Sequence, residues 1–353
     1  MFKQRATIKD IARALNLSTS TVSRALADRW DVNSETRKAV LELAEKLQYR
    51  PNPLSLNLKQ RQTLSVGVVI PEFINSFFPE VIIGIQSVLD PKGYQLLISQ
   101  SNESSEKELK NFKTLESKMV DGFIVSITKE TSDMDYFKQL VETQVPIVFF
   151  NRVGKDLPVS RVIIDDYKWA FRAVEHLIEQ GCQRIVHLAG PESLDISRNR
   201  LRGYSDALKK HNIVYDEELV ITCGVMMEKG ILGAMKILEM PKLPDGIFAI
   251  NDPVAIGAMK TLKKNNIRIP EDIAVVGFTE SKMAMIIEPN LTTVEQPTYE
   301  MGKAAAELLL EQMAGANEIA QRTIMLEAKL NVRESSLKTQ LPPTEKVDEL
   351  NFG

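Results

Sequence analysis

Cysteine and histidine are scarce in this chain, which holds two Cys and three His among 353 residues. Cys182 and Cys223 lack the paired spacing of a redox or zinc site, so we predict two free thiols in a reducing compartment. His176, His187 and His211 form no dyad with a nucleophile and no metal-type cluster. The sequence therefore predicts no catalytic residue, no metal site and no cofactor.

Long apolar runs are also missing. No stretch reaches the roughly 18 apolar residues that a membrane helix needs. The polar pattern after Met1 lacks the apolar core of a signal peptide, so we expect a cytoplasmic protein with no membrane partner. The motifs GxxxxGK[ST] and GxSxG are absent, and no GxGxxG follows the first apolar run of the body. The sequence therefore offers no candidate set of catalytic residues for an enzyme.

Charge is spread unevenly along the chain, whose net charge is −3. Residues 1–62 contain 12 Lys or Arg and 6 Asp or Glu, whereas the remainder contains 32 and 41. A basic head on an acidic body is expected when only the head touches phosphate. A solvated helical head can also be mildly basic, so charge alone does not decide between the two.

Three short helices are predicted in the head. Residues 7–15 and 19–26 carry apolar side chains at helical spacing, and Ser18 is placed to cap the second helix. Asn16, in the connection, is a residue type that tolerates positive φ. A third helix at 34–48 closes the core. This pattern predicts a helix-turn-helix, although a helical mini-domain that binds protein would look the same.

The outward side chains of the second helix favour DNA over protein. They are short hydroxyls and one guanidinium, with no acidic residue among them. Hydroxyls can bond phosphate or base edges, and Arg24 can grip O6 and N7 of a guanine together.

A linker predicted to act as a hinge follows the head. Pro51 interrupts the third helix, Asn52 can cap a new one, and Pro53 suits its first position. The helix that follows has about six residues, too few to be stable alone. We therefore predict that it folds only against DNA and a twin copy of itself.

The sequences TIKDIARALNLSTSTVSRAL, DVNSETRKAV and YRPN, followed by an Asn-x-x-Ser-x-x-Leu hinge, closely resemble the lactose-repressor (LacI/GalR) family. The resemblance implies a homodimer on palindromic operator DNA, with Leu58 wedged into the minor groove. Ser55 departs from the family, which usually has Ala there. The DNA contacts that the resemblance implies are Thr7, Ser18, Thr19, Ser20, Ser23, Arg24, Asn33, Asn52, Ser55 and Leu58.

From Leu64 onward, apolar β-type runs alternate with amphipathic helical segments, which predicts parallel sheets built from βαβ units. The predicted strands are 64–70, 95–99, 122–126, 146–150, 161–165, 184–189, 219–222, 245–250, 273–278 and 291–295. We expect two doubly wound lobes, which the resemblance identifies as a periplasmic-binding-protein-like α/β domain. Ligands of such sheets bind beyond the carboxyl ends of the strands.

The resemblance extends to about residue 335 and implies a small-molecule effector between the lobes, with a sugar or sugar derivative as the first choice. The residues implied are Phe77, Phe78, Asn151, Arg200, Val225, Asn251, Thr279, Glu280 and Gln296. A guanidinium and carboxamides beside aromatic rings suit a sugar or a small acid. Thr279 stands where many sugar-binding members carry Asp, and Glu280 is the candidate to replace that carboxylate.

Structural alternatives stay open for several of these residues. Phe77 and Phe78 could instead be core residues, and Arg200 could be a surface charge on a helix. Asn251 could cap the helix that follows it, alone or in addition to binding the effector. The chain as a whole is predicted to be a transcriptional repressor. A transport-type sugar-binding protein and an enzyme on a doubly wound fold are the alternatives.

The predicted domains are a head at 1–50, a hinge at 51–62, an effector domain at 63–335 and a disordered tail at 336–353. Within the effector domain, the first lobe is predicted at 63–160 and 293–318, and the second at 161–290 and 320–335.

Overall fold

The computed structural model describes residues 6–49, 62–154, 157–315 and 321–338. It divides into two compact units, Met1–Leu64 and Ser65–Gly353. The hinge residues Asn52, Ser55 and Leu58 lie outside the described residues, as do residues 339–353. The tail was predicted to be disordered from 336, but Ser336 is buried and its hydroxyl bonds the hydroxyl of Thr292 and the ring of His176. Within the described part of the chain, no helix is long and apolar enough to cross a membrane.

The first unit contains the three predicted helices: α1 (Ile8–Ala14), α2 (Thr19–Leu26) and α3 (Ser34–Lys46). Ile11, Val22 and Val40, one from each helix, are fully buried against one another. Asn16 takes a φ of 53° between α1 and α2, as the tight connection requires. The side-chain oxygen of Ser18 accepts a hydrogen bond from the Thr21 amide and so caps α2. The helix-turn-helix is confirmed.

The first lobe of the second unit is built on a parallel sheet with strand order β11-β5-β4-β3-β1-β2. Its strands are β1 (Ser65–Ile70), β2 (Gln95–Gln100), β3 (Gly122–Val125), β4 (Ile147–Phe150), β5 (Ser160–Ile164) and β11 (Thr323–Leu326). Helices α4 (Phe77–Leu89) and α11 (Thr298–Met313) cover one face, and α5 (Ser105–Ser117) and α6 (Asp135–Glu142) cover the other. Gly302 lets α4 and α11 touch, because a Cβ there would lie 1.9 Å from the carbonyl oxygen of Val81.

The second lobe repeats this plan with strand order β12-β10-β9-β8-β6-β7, in which only the β12–β10 pairing is antiparallel. The strands are β6 (Ile185–Ala189), β7 (Val220–Thr222), β8 (Gly246–Ala249), β9 (Ala274–Thr279), β10 (Thr292–Glu295) and β12 (Lys329–Asn331). Helices α7 (Asp166–Glu179) and α8 (Asp195–Lys210) lie on one face, and α9 (Met227–Leu238) and α10 (Asp252–Lys264) on the other. The predicted two-lobed α/β architecture is confirmed.

The strand pairing corrects the predicted lobe bounds. The second lobe was expected to begin at 161, but β5 pairs with β4 in the first sheet, where Arg161 faces Phe149. The first lobe was expected to resume at 293, but β10 pairs with β9 in the second sheet. The chain therefore crosses between lobes at 164–166, 295–298 and 326–329. The apolar pattern predicts where the strands lie. It does not predict which strands pair, because pairing depends on contacts between distant parts of the chain.

Candidate functional sites in the head and the cleft

The predicted DNA contacts that the structure describes all lie on the surface of the head. Thr7, Thr19, Ser20, Arg24 and Asn33 are exposed. Ser18 is exposed as well, and Ser23 is half-buried. The head therefore presents every described member of the predicted set to solvent.

Three of these residues also cap helices. Thr7 and Asp10 form a capping box at α1, Ser18 caps α2, and Asn33 Oδ1 accepts from the Glu35 amide at α3. The Ser18 hydroxyl lies 2.7 Å from that of Ser20, so the start of α2 is a small network of hydroxyls. A cap fixes where each of these side chains lies. The Thr7 hydroxyl already donates to Asp10 Oδ2 at 2.7 Å, so a phosphate contact from this hydroxyl would replace that bond.

Arg24, the predicted base-reading residue, has a partner that the sequence did not reveal. Its Nη1 lies 2.9 Å from Oδ2 of Asp31, seven residues further along the chain. Its Nε donates to the carbonyl oxygen of Ser20 at 3.3 Å. The second helix carries no acid, as predicted, but the loop after it supplies one.

In the second unit, a cleft lies at the carboxyl ends of strands from both lobes. Eight of the nine predicted effector residues line it: Phe77, Phe78, Asn151, Arg200, Val225, Asn251, Thr279 and Gln296. The lining residues that the predicted set omitted are Glu72, Asn75, Arg152, Ile196, Ile250 and Pro253. Of these, Arg152 and Ile250 directly adjoin the predicted residues Asn151 and Asn251.

Arg200 is the most constrained side chain of the cleft. It is only 2% exposed, and its Nε and Nη2 lie 2.8 and 2.7 Å from Oδ1 of Asp166. Its Nη1 donates to the carbonyl oxygen of Ile250, and its guanidinium stacks 3.6 Å from the centre of the Phe278 ring. The surface-charge alternative for Arg200 is therefore wrong.

A second buried ion pair lies in the first lobe. Arg152 Nη1 contacts both carboxylate oxygens of Glu103, at 2.8 and 3.0 Å, and the Arg152 guanidinium lies 5.8 Å from the centre of the Phe78 ring. Glu72, 4% exposed, accepts from the amide and the side-chain nitrogen of Asn75. No described cation pairs with Glu72. Each arginine of the cleft is thus neutralised within the protein, and one carboxylate is not.

The amide side chains of the cleft differ in how far they are already satisfied. Asn251 Oδ1 caps α10 by accepting from Val254, and its Nδ2 donates to the Val225 carbonyl oxygen at 2.8 Å. The capping alternative therefore holds for Asn251 beside its place in the cleft. Gln296 is 4% exposed, and its Oε1 has no hydrogen-bond partner among the described residues. Its Nε2 approaches the Thr279 hydroxyl at 3.4 Å.

Glu280 is the predicted effector residue that does not line the cleft. Its carboxylate forms an ion pair with Arg333 and accepts from the side-chain nitrogen of Asn331 at 3.2 Å. The structure therefore does not place its carboxylate where the missing Asp of sugar-binding members was expected. The backbone takes a positive φ at both positions, 126° at Thr279 and 65° at Glu280.

Phe77 and Phe78 belong to the core of the first lobe, being 6% and 2% exposed, and both also line the cleft. Among the histidines, His187 lies between aromatic rings and bonds the Phe248 carbonyl oxygen, and burial lowers its pKa to about 4. His176 bonds the Ser336 hydroxyl at 2.7 Å. The described residues contain no group of three His, Cys, Asp or Glu side chains that could hold a metal ion.

A helix-turn-helix head followed by a two-lobed domain with a cleft at its strand ends defines a DNA-binding regulator with a sensor domain. Family models support both parts: "Bacterial regulatory proteins, lacI family" matches residues 7–52, and "Periplasmic binding protein-like domain" matches 174–336. The chain is 32% identical over 331 residues to the HTH-type transcriptional repressor CytR of Escherichia coli (strain K12), covering 94% of this chain and 96% of the relative. The chain belongs to the lacI family of bacterial regulatory proteins.

Two solved structures are similar along almost the whole chain. A transcriptional regulator CelR–cellobiose complex is 30% identical with a TM-score of 0.72, covering 94% of this chain and 100% of that one. The lac repressor dimer bound to operator and the anti-inducer ONPF is 26% identical with a TM-score of 0.80, covering 95% and 100%. These similarities are to transcription regulators, and they give no support to the enzyme or transport alternatives.

Proposed function

We propose that the protein is a transcriptional repressor that acts in the cytoplasm as a homodimer on a palindromic operator, and that a neutral sugar or sugar derivative in the cleft sets its operator affinity. Membership of the lacI family supports the DNA-binding part. The similar lac repressor was solved as a dimer on its operator, and the similar CelR was solved with cellobiose. The charges of the residues that line the cleft favour a neutral effector over an anionic one.

The choice of a neutral ligand rests on the charged side chains that line the cleft. Arg152 and Arg200 are the cations among the described lining residues, and each is already bound to a buried carboxylate of its own lobe. Glu72 adds a negative charge with neutral donors as its only partners. An anionic ligand would add a second unbalanced negative charge to that of Glu72, since both arginines are already balanced by buried carboxylates. An unbalanced buried ion costs several kcal/mol. A neutral ligand avoids this cost.

Hydroxyl groups complete the site better than apolar groups do. The free Oε1 of Gln296 and the carboxylate of Glu72 are acceptors, so a ligand that brings several donors satisfies them. A buried acceptor left without a donor costs about 1–3 kcal/mol. Phe77 and Phe78 add apolar lining against which the C–H groups of a sugar ring can pack.

Calorimetric titration of the purified protein with ribose, cellobiose and glucose 6-phosphate tests this choice. We expect a neutral sugar to bind the wild type and the Gln296→Leu variant to bind it about two- to tenfold more weakly, the worth of one hydrogen bond. Gln183→Leu, a matched change at an exposed position, should leave binding unaltered. Tighter binding of glucose 6-phosphate than of both neutral sugars would overturn the charge argument.

The DNA contacts complete the proposal. Thr19, Ser20 and Arg24 would read bases, and Thr7, Ser18, Ser23 and Asn33 would hold phosphates, consistent with their exposure on the head. The hinge contacts Asn52, Ser55 and Leu58 fall outside the described residues, so their roles remain predictions from the resemblance.

A further inference from the structure

The loop between α2 and α3 carries two carboxylates that hold different arginines. Asp31 Oδ2 lies 2.9 Å from Nη1 of Arg24, on the helix proposed to enter the major groove. Asp28 Oδ1 lies 2.7 Å from Nη1 of Arg37, on α3. The two carboxylates have the same charge, belong to the same loop and are both exposed. They differ in the arginine they hold.

Arg24 is held from two directions. The helix supplies the Ser20 carbonyl oxygen to Nε, and the loop supplies the Asp31 carboxylate to Nη1. No described residue accepts a hydrogen bond from Nη2, and the Arg24 side chain is 48% exposed. The guanidinium is therefore fixed at two of its three nitrogens and still has free N–H groups toward solvent.

We propose that Asp31 is a positioning residue, which acts through Arg24 to increase the preference of the head for its operator over random DNA. The inference rests on the proposed base-reading role of Arg24. A free arginine side chain populates many rotamers, and a side chain held in place before binding loses less of this freedom when it contacts the base. Asp31 thereby favours the one geometry in which Arg24 meets a guanine edge.

The charge of Asp31 acts in the same direction. Phosphate contacts supply sequence-independent affinity, and they depend on the positive charge that the protein presents. A carboxylate next to Arg24 weakens its pull on any phosphate, whereas the bidentate contact to guanine O6 and N7 also depends on geometry. Random DNA is thus penalised more than the operator.

The test uses the full-length protein and two duplexes. One is selected from a random-sequence pool with the wild-type protein, and the other is a scrambled duplex of equal length and composition. We expect Asp31→Asn to lower the ratio of the two affinities about two- to fivefold, the size of an exposed ion pair. Asp28→Asn, the matched control, should raise both affinities alike and leave the ratio unchanged. Equal changes of the ratio in both variants would overturn the positioning role.

The Arg24→Ala background separates this inference from the role on which it rests. If Arg24 reads a base, Arg24→Ala lowers the affinity ratio, and adding Asp31→Asn then changes the ratio no further. A ratio that still falls in the double variant would show that Asp31 acts without Arg24, which overturns the inference. If Arg24→Ala weakens both duplexes equally, the base-reading role fails, and the inference fails with it for a distinguishable reason.

Discussion

The Arg200–Asp166 pair allows the structural and the effector-binding roles of one arginine to be separated. In Arg200→Met, a side chain of similar length occupies the site, but Asp166 stays buried without its cation. Removing one partner of a buried pair costs about 3–5 kcal/mol. The stack on Phe278, at 3.6 Å, is also lost. We therefore expect the free energy of unfolding of the effector unit to fall by about 3–5 kcal/mol.

The double variant Arg200→Met/Asp166→Asn should recover most of that loss, because no unpaired charge remains buried. The Ile250 carbonyl oxygen still lacks the Arg200 donor, so a deficit of about 1 kcal/mol should persist. Urea denaturation followed by circular dichroism measures both values. Neither variant should respond to the effector. A loss below about 1 kcal/mol in the single variant, or a double variant as unstable as the single, would refute the reasoning.

Two further predictions concern strain and pH. Thr279 is β-branched at a φ of 126°, so Thr279→Gly should raise the free energy of unfolding by about 1 kcal/mol while weakening effector binding; destabilisation in a urea titration would contradict the strain. Burial raises the pKa of Glu108 to about 7, from 4.5 in a solvated chain, so the unfolded chain releases this proton first as the pH rises. Between pH 4.5 and 7, the free energy of unfolding of the wild type should therefore fall by about 2–3 kcal/mol relative to that of Glu108→Gln. If the free energies of the two proteins follow the same pH dependence, the pKa of Glu108 is not raised.

The ten strands predicted from the sequence match the structure within one residue at either end. Parallel strands covered on both faces appear as unbroken apolar runs, which is why the pattern sufficed. β11 and β12 were missed; both lie at a sheet edge, and no residue of either strand is fully buried. The lobe crossings were misplaced for a different reason, since which strand pairs with which depends on contacts between distant parts of the chain.

The identities of the cleft residues came from the resemblance, whereas their electrostatics came only with the structure. Glu103 precedes Arg152 by 49 residues and Asp166 precedes Arg200 by 34, so no local pattern reveals that these arginines are neutralised. Asp31 reaches Arg24 across a loop that the helical pattern of α2 does not include. Glu280 was predicted from its neighbour, and the turn at Thr279 could not be inferred from residue types alone.

The placement of the buried ion pairs bears on how an effector could control the proposed repressor. Arg152–Glu103 lies wholly in the first lobe and Arg200–Asp166 wholly in the second. Contacts between the lobes include weaker ones, such as the Ser193 hydroxyl donating to the Lys129 carbonyl oxygen at 2.6 Å. Rotation of one lobe against the other therefore leaves both of these buried ion pairs intact. A ligand needs to favour one lobe angle by only a few kcal/mol to shift the population, which a handful of hydroxyl contacts across the cleft can supply.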